Sequence, residues 1–547
     1  MKHRTAIFIA LLFHCASNLF SQALTVSSQQ LNFGTAFENA PDSLQLAITN
    51  TLSRNVSVNG IVFYNTYGLP AFSARERNFT IAASASKTIW IKFSPRHNIL
   101  HNSEMVIVND GLRGYLSVDL TGQGSYSNAY YDLSENQSEE DLKSALHTLT
   151  GVGYVVLGYN VARDNMFMTI DNKKVNGQGA AQNTIECIYT GREAVGYTDR
   201  ADCQTNFSFN TEHTFPQTYF NSLEPMKSDL HHLFPTDDLA NNARGDNPFG
   251  IVTGGTTWAV GGSKATNSLF EPRDEQKGVA ARAMMYFVLR YQNYSGFFTP
   301  QETLLRSWNL NFPAYAAEGQ RNDAIDAVQH NRNPFVDYPQ FIERITSISA
   351  TSIAPVVRSV DLPQDTIIYG YVPLGVPTDF HYVIVNKGNA EVQLLNFSLS
   401  NQELTFQSGG VNTTLAAGEA LAVDIRLITQ SNSSLHAFLN FNTNDPAHQA
   451  VSIPVYANDS VFDNVEELDE GRLSISPNPA HENLTIKSEG MNVTGLGVYD
   501  ATGRIVIELQ NLSGDTQVLQ VNELLAGVYI LKIGFGGNIV FRKFMKE

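Results

Sequence analysis

The stretch NTEHTFPQTYF, residues 210–220, sets Glu212 directly against His213, just ahead of Pro216. A second stretch, DLHHLFPTDDLANNARG, adds Asp229, His231, His232, Asn241 and Arg244. Such residue types suit phosphodiester hydrolysis. Water must lose a proton, the charge on pentacoordinate phosphorus must be neutralised, and the leaving oxygen must be stabilised. A neutral imidazole with a pKa near 7 does the first. A hard divalent cation does the other two. Magnesium takes oxygen donors and keeps several waters, so a protein need supply only one or two ligands. His213 as base, with Glu212 and Asn241 as oxygen donors, makes up that minimal set.

The elements that carry these residues constrain how they act. Neighbouring side chains on a strand point to opposite faces. Glu212 and His213 therefore cannot grip one ion side by side on a regular strand. They work together if one holds the ion and the other acts from a different direction, or if Thr214 and Pro216 mark the strand end. DLANNARG predicts a short helix with Asn241 and Arg244 three apart on one face. A base from a hairpin and a ligand from the following helix make a ββα-metal arrangement.

Around this α+β middle, read as residues 127–350, the chain is β. Residues 24–126 hold short apolar runs (LQLAITN, VSVNGIVF, TIWIKFSP, SEMVIVND, YLSVDLTGQG) separated by Gly, Asn, Pro and Ser, which points to a sandwich. The pattern returns at 355–458: HYVIVNKGNAEVQLLNFSLS echoes LQLAITNTLSRNVSVNGIVF, a two-copy internal repeat. Both copies resemble immunoglobulin-like modules of the ASH type. In the middle, SEEDLKSALHTL (N-cap Ser138), QKGVAARAMMYFVLRYQNY and FIERI read as helices, whereas NMFMTIDN and TIECIYTGR read as strands. In the second of these helices Val279, Met284, Phe287 and Val288 form a core stripe, with Lys277 and Arg282 solvated. An acidic linker, VEELDEG, leads into strands over 472–547. There SPNPAHENLTI, VYDATGRIV and LAGVYILKI resemble the type IX secretion C-terminal sorting domain, implying the type IX secretion machinery as a partner.

Residues 1–23 have the form of a signal peptide: basic Lys2 and Arg4, an apolar run, and small residues at a cleavage site. That run is too short to span a bilayer, and no later stretch is apolar enough, so no stable membrane span is expected. The location expected is secreted or cell surface. An exported chain meets oxidising conditions, so a disulfide between Cys187 and Cys203 is expected, worth on the order of 3 kcal/mol. The formal net charge of −17 excludes a global attraction to nucleic acid or anionic membranes. Binding a polyanion then requires a local basic patch or a cation.

NTEHTFP, DLHHLFP, NNARG, FEPRDEQKGVAARAMMYF and HNRNPFVDYPQF, in that order, resemble the bacterial endonuclease I family of His-Me finger nucleases. The resemblance implies a secreted, Mg²⁺-dependent endonuclease without sequence preference, with Ca²⁺ or Mn²⁺ able to substitute. It implies DNA as substrate, RNA as a second one, and 5′-phosphate products. Residue by residue it makes His213 the base, Glu212 and Asn241 the metal ligands, and Arg244 a phosphate or product contact. It puts Asp229 and His231 behind the site, orienting the metal water or the helix. This chain departs from the family in its few cysteines. It also lacks an arginine between the Glu-His pair and DLHHL, where only Lys227 stands; Arg244, Arg282 and Arg332 remain unranked as phosphate contacts. NRNPF also reads as a turn whose Arg332 bonds backbone carbonyls. Two other readings stay open: a zinc hydrolase built on His213, His231 and His232, and a non-catalytic surface adhesin carrying a decayed nuclease fold.

Overall fold

The computed structural model describes residues 23–65, 69–109, 116–459, 473–488, 492–500, 505–510, 512–535 and 538–547. The signal segment, apart from Ala23, and the linker VEELDEG lie outside the described residues.

Alternating burial along the N-terminal strands, as in Ser86–Phe93, gives each strand one apolar face. Two sheets bring those faces onto a single core that includes Leu46, Ile48, Ile91, Phe93 and Met105. The four-stranded sheet runs Leu24–Val26, Asp42–Asn50, Ser86–Phe93, Phe72–Ala74. The five-stranded one runs Gln30–Phe37, Leu116–Ser125, Leu100–Asn109, Val56–Asn65, Phe79–Ile81.

The second β region repeats this order strand for strand. Its four-stranded sheet runs Val360–Asp361, Thr378–Asn386, Ala420–Leu427, Leu404–Ser408. Its five-stranded sheet runs Ile367–Ile368, Ala450–Ala457, Leu435–Thr443, Val392–Leu399, Thr413–Leu415. Each copy also pairs its second strand with its last in parallel. One buried asparagine is used the same way in both. Asn50 Nδ2 donates to the carbonyls of Arg54, Ile81 and Ala82, and Asn386 Nδ2 to those of Ala390, Leu415 and Ala416. Each such amide satisfies carbonyls that the ladder leaves unpaired where the strand ends. The C-terminal strands form two further sheets over one core.

Between the two copies lies a helical region built on Asp274–Arg290. Every residue of this helix from Gln276 to Leu289 is buried, as expected of a helix at the centre of a domain rather than on its surface. The apolar stripe is core as expected. Lys277 and Arg282, however, are not solvated. Lys277 pairs with Glu271 and Asp274 at 3.0 and 2.7 Å, and Arg282 makes a two-pronged pair with Glu318 at 2.6 and 2.7 Å. NMFMTIDN is not a strand either: the helix Tyr159–Asn165 runs on into a wide helical turn, Met166–Ile170. Met166, Phe167 and Ile170 are its buried residues, a helical spacing, so packing on the central helix domain decides against β.

The N-terminal β module is docked on the end of this region. His97 Nε2 meets Glu343 Oε2 at 2.9 Å, Arg344 donates to Asn98 at 2.6 Å, and Tyr126 stacks on Tyr338 with centroids 3.7 Å apart. Among the described residues no helix is long and apolar enough to cross a membrane.

Candidate functional site

Glu212 and His213 end the strand Phe209–His213, which pairs antiparallel with Leu233–Asp237; Glu212 faces Phe234 and His213 faces Leu233 across the ladder. The helix Asp238–Arg244 follows at once. Asp237 caps it, its carboxylate accepting from the Ala240 N–H at 2.8 Å, and Asp238 favours the positive N-terminal end of the dipole. Gly245, at a φ of +49° that suits glycine, turns the chain away after Arg244. One strand and one helix, joined by the paired strand Leu233–Asp237, therefore carry all four central residues.

Glu212 is buried, and its Oε1 takes both of its polar contacts. The Tyr189 hydroxyl donates to it at 2.7 Å, and Arg244 Nε lies 3.2 Å away. Burial pushes the Glu212 carboxyl up, while Arg244 and Tyr189 pull it down. Tyr189 is itself held far above its ordinary value by burial and by this carboxylate, so it stays a donor. Among the described residues nothing bonds to Glu212 Oε2 or to the side-chain amide of Asn241. Asn241 shares a helix face with Arg244, the residue that touches Glu212. The donors left over are thus hard oxygens, one carboxylate and one amide, and they fit a magnesium-like cation.

Arg244 is not placed for direct phosphate contact. It is 0% exposed, its Nη1 donates to the Gly245 carbonyl at 2.7 Å and its Nη2 to the Thr214 carbonyl at 2.6 Å. It is a strut that ties the end of the His213 strand to the helix and holds Glu212 in place.

His213 leaves the strand on the other face, toward Tyr159, Phe220 and His232, with ring centroids 5.5, 6.3 and 5.4 Å away. Its Nε2 lies 3.1 Å from the Lys227 carbonyl. A carbonyl only accepts, so Nε2 carries the proton and Nδ1 keeps its lone pair. Burial first, then His232, Lys227 and Arg163, depress the His213 pKa well below the usual range. The ring is therefore neutral, as a base must be. His232 is similarly held by the Met226 carbonyl at 2.6 Å, but it is 0% exposed and its Nδ1 is sealed in without a partner. His213 keeps 5% exposure, which makes it the one of this pair that can meet water.

Asp229 and His231 support this arrangement from behind. Asp229 accepts from the Tyr286 and Tyr291 hydroxyls, both at 2.8 Å, and from Gln329 at 3.0 Å. His231 meets the Asn331 carbonyl at 3.1 Å. These bonds pin the segment that supplies the Lys227 carbonyl to the central helix.

The histidines that cannot reach water predict an acid limit. Burial holds His232 below its ordinary 6.5 and His231 at about 4, with Asp229 pulling each the other way. The unfolded chain takes up protons near pH 6.5 that these folded histidines refuse, as does His213. The stability they contribute is present above pH 6.5 and is lost as pH falls below it. Urea midpoints between pH 5 and 8 check this; a flat profile contradicts it.

Three further expectations change. Cys187 and Cys203 are both free and buried, so no disulfide links them. The Cys187 sulfur lies 3.4 Å from the Thr236 hydroxyl and accepts from the Asp237 N–H, while burial pushes the Cys203 thiol up to about 12. Among the described residues Arg332 bonds no carbonyl through its side chain; it pairs with Asp337 and Asp323 at 2.6 and 2.7 Å. The zinc reading loses its basis, since each of the three histidines turns Nε2 to its own backbone carbonyl. Among the described residues no three His, Cys, Asp or Glu gather as a metal site. Sequence reasoning missed Tyr189, because nothing local marks a tyrosine that reaches Glu212 from the turn after the strand Thr184–Glu186.

A cavity of about 660 Å³ lined by Lys173, Glu186, Arg273 and Arg282 stands apart from these residues. Its cations are already paired, Lys173 and Arg273 with Glu186 and Arg282 with Glu318.

The Endonuclease I family model matches residues 137–340, and the model for the secretion system C-terminal sorting domain matches residues 474–547. Over 238 residues the chain is 27% identical to an extracellular ribonuclease of Bacillus subtilis (strain 168), covering 40% of this chain and 78% of that protein. It is 29% identical over 238 residues to an extracellular ribonuclease of Bacillus amyloliquefaciens, covering 40% and 77%. It is 30% identical over 117 residues to an extracellular deoxyribonuclease of Aeromonas hydrophila, covering 20% and 50%. The chain carries an endonuclease I domain and, at its C-terminal end, a type IX sorting domain, and its destination is the cell surface or the medium.

Proposed function

We propose that this protein is a secreted, Mg²⁺-dependent endonuclease that hydrolyses phosphodiester bonds in DNA and RNA without sequence preference. The observation that carries the reading is His213: a neutral imidazole whose Nε2–H is fixed on the Lys227 carbonyl and whose Nδ1 is free to take a proton. Glu212 precedes it on the strand and Asn241 lies on the helix that follows the hairpin, and their unbonded oxygens suit a hard cation. When bound there, Mg²⁺ would neutralise charge at phosphorus and stabilise the leaving oxygen.

His213 Nδ1 accepts the proton of the attacking water. Glu212 and Asn241 would hold the ion, which would supply the charge neutralisation at phosphorus. Arg244 and Tyr189 keep the Glu212 carboxylate aimed, and Asp229 and His231 keep the Lys227 segment in place. On this reading residues 127–350 form a ββα-metal nuclease domain. The repeated β regions, 24–126 and 355–458, are immunoglobulin-like ASH modules acting as spacers or binding units.

Plasmid DNA and structured RNA incubated with the protein and Mg²⁺, with and without EDTA, test the proposal. Cleavage of either that EDTA abolishes is expected. Asn241→Ala is expected to raise the Mg²⁺ concentration for half-maximal rate roughly ten- to hundredfold, the order of effect of losing one ligand-side group. Cleavage indifferent to EDTA, or none on either polymer, overturns it.

A further inference from the structure

The polyanion problem set by a net charge of −17 demands cations close to the chemistry, and the arginines first considered cannot supply them. Arg244 is sealed between Glu212 and two carbonyls, Arg282 is taken by Glu318, and Arg332 by aspartates. Two other cations stand beside His213. Tyr159 opens the helix Tyr159–Asn165, and Arg163, one turn on, folds back with its guanidinium carbon 4.1 Å from the Tyr159 ring centroid. Lys227 reaches the same ring from the loop ahead of the second site strand, with its ammonium 4.8 Å from the centroid. That ring lies 5.5 Å from the His213 imidazole.

We propose that Arg163 and Lys227, gathered over Tyr159 beside His213, form the cradle for a backbone phosphate of the bound nucleic acid strand. This rests on the nuclease reading above and names the part of the site that grips the substrate.

Three observations carry it. Among the described residues neither cation has a carboxylate within ion-pair distance, in a domain where Lys173, Arg273, Lys277, Arg282, Arg321 and Arg332 all do. Arg163 also has a buried Nε–H with no partner, although its Nη2 donates to Asn160 at 2.7 Å. A buried N–H left unsatisfied is costly, and a phosphate oxygen at this position would satisfy it. Finally, Lys227 serves twice: its carbonyl fixes the His213 tautomer while its ammonium faces the same ring as Arg163. A phosphate held by this pair is thereby held in register with Nδ1. The planar fork of Arg163 fixes orientation at the phosphate, and the ammonium of Lys227 adds charge.

The test is binding rather than cleavage. Full-length protein with His213→Ala, so that the strand survives, is titrated into a labelled DNA duplex and a single-stranded RNA at several salt concentrations in Mg²⁺. Arg163→Gln and Lys227→Gln each raise Kd roughly tenfold. Together they reduce the slope of log K against log salt by about 1.8 on duplex, or about 1.4 on the single strand. Lys227→Arg, which keeps the charge, restores the slope; a merely structural role for these residues would not move it. Melting curves confirm that each variant is folded. An unchanged slope in the folded double variant overturns the cradle. If the parent protein cleaves both polymers yet the slope is unchanged, the nuclease reading stands and the cradle falls. If the parent cleaves nothing but oligonucleotide binding still depends on Arg163 and Lys227, the cradle stands and the nuclease reading falls.

Discussion

His213→Ala is expected to lower kcat by about 10²- to 10⁴-fold, the range for losing a positioned general base, while leaving KM for nucleic acid within a few fold. The Lys227 carbonyl fixes the proton on Nε2, so the ring presents one basic nitrogen, and burial keeps the imidazole neutral. The substitution removes that nitrogen and leaves the Lys227 carbonyl without its donor, at about 1–3 kcal/mol of stability. The fold survives, because the ring is one of several aromatics around Phe220 and His232 rather than the centre of the core. Added imidazole separates proton transfer from positioning: partial rescue is expected, rising with the fraction of neutral imidazole. Full activity in the variant removes the base from this account.

The second large effect falls on stability. Arg244 and Glu212 form an ion pair whose side chains are 0% and 4% exposed. Arg244→Met leaves the carboxylate buried and uncompensated, and releases the Thr214 and Gly245 carbonyls from their donors. The expected cost is about 3–5 kcal/mol in urea unfolding. Because the loss is an unpaired charge rather than a missing contact, the double variant Glu212→Leu with Arg244→Met is expected to recover most of it. That double variant stays inactive, since the carboxylate proposed to hold the ion is gone. A cost for Arg244→Met no larger than that of an exposed arginine, under about 1 kcal/mol, means the pair is not what holds the site together.

Much of the architecture was legible in the chain. The two β regions announce themselves because each strand alternates apolar and polar residues, and their matching strand order follows from the matching sequence pattern. The site hairpin and helix were legible too, because DLANNARG and the Glu-His pair ahead of Pro216 are local signals. What failed depends on partners distant in sequence. Arg244 reads as a free cation until the fold brings Glu212 against it, and Lys277 and Arg282 read as solvated until Glu271 and Glu318 arrive. Met166 and Phe167 carry strand-like local composition, yet their packing in the helical core sets the conformation. The cysteines show the same limit: two thiols in one exported chain suggest a bond, but Cys187 lies on Thr236 while Cys203 sits apart in the helix Arg200–Asn206. Arg163 went unnoticed because nothing local marks a cation that the fold sets over Tyr159 beside His213.

The most direct test of the central claim is an anomalous difference map from crystals grown with Mn²⁺ in place of Mg²⁺. The account predicts a single strong peak on the Glu212 and Asn241 side-chain oxygens at roughly 2.0–2.3 Å, with water completing the shell. A peak bound instead by His213, His231 or His232, or none near Glu212 at saturating Mn²⁺, contradicts it.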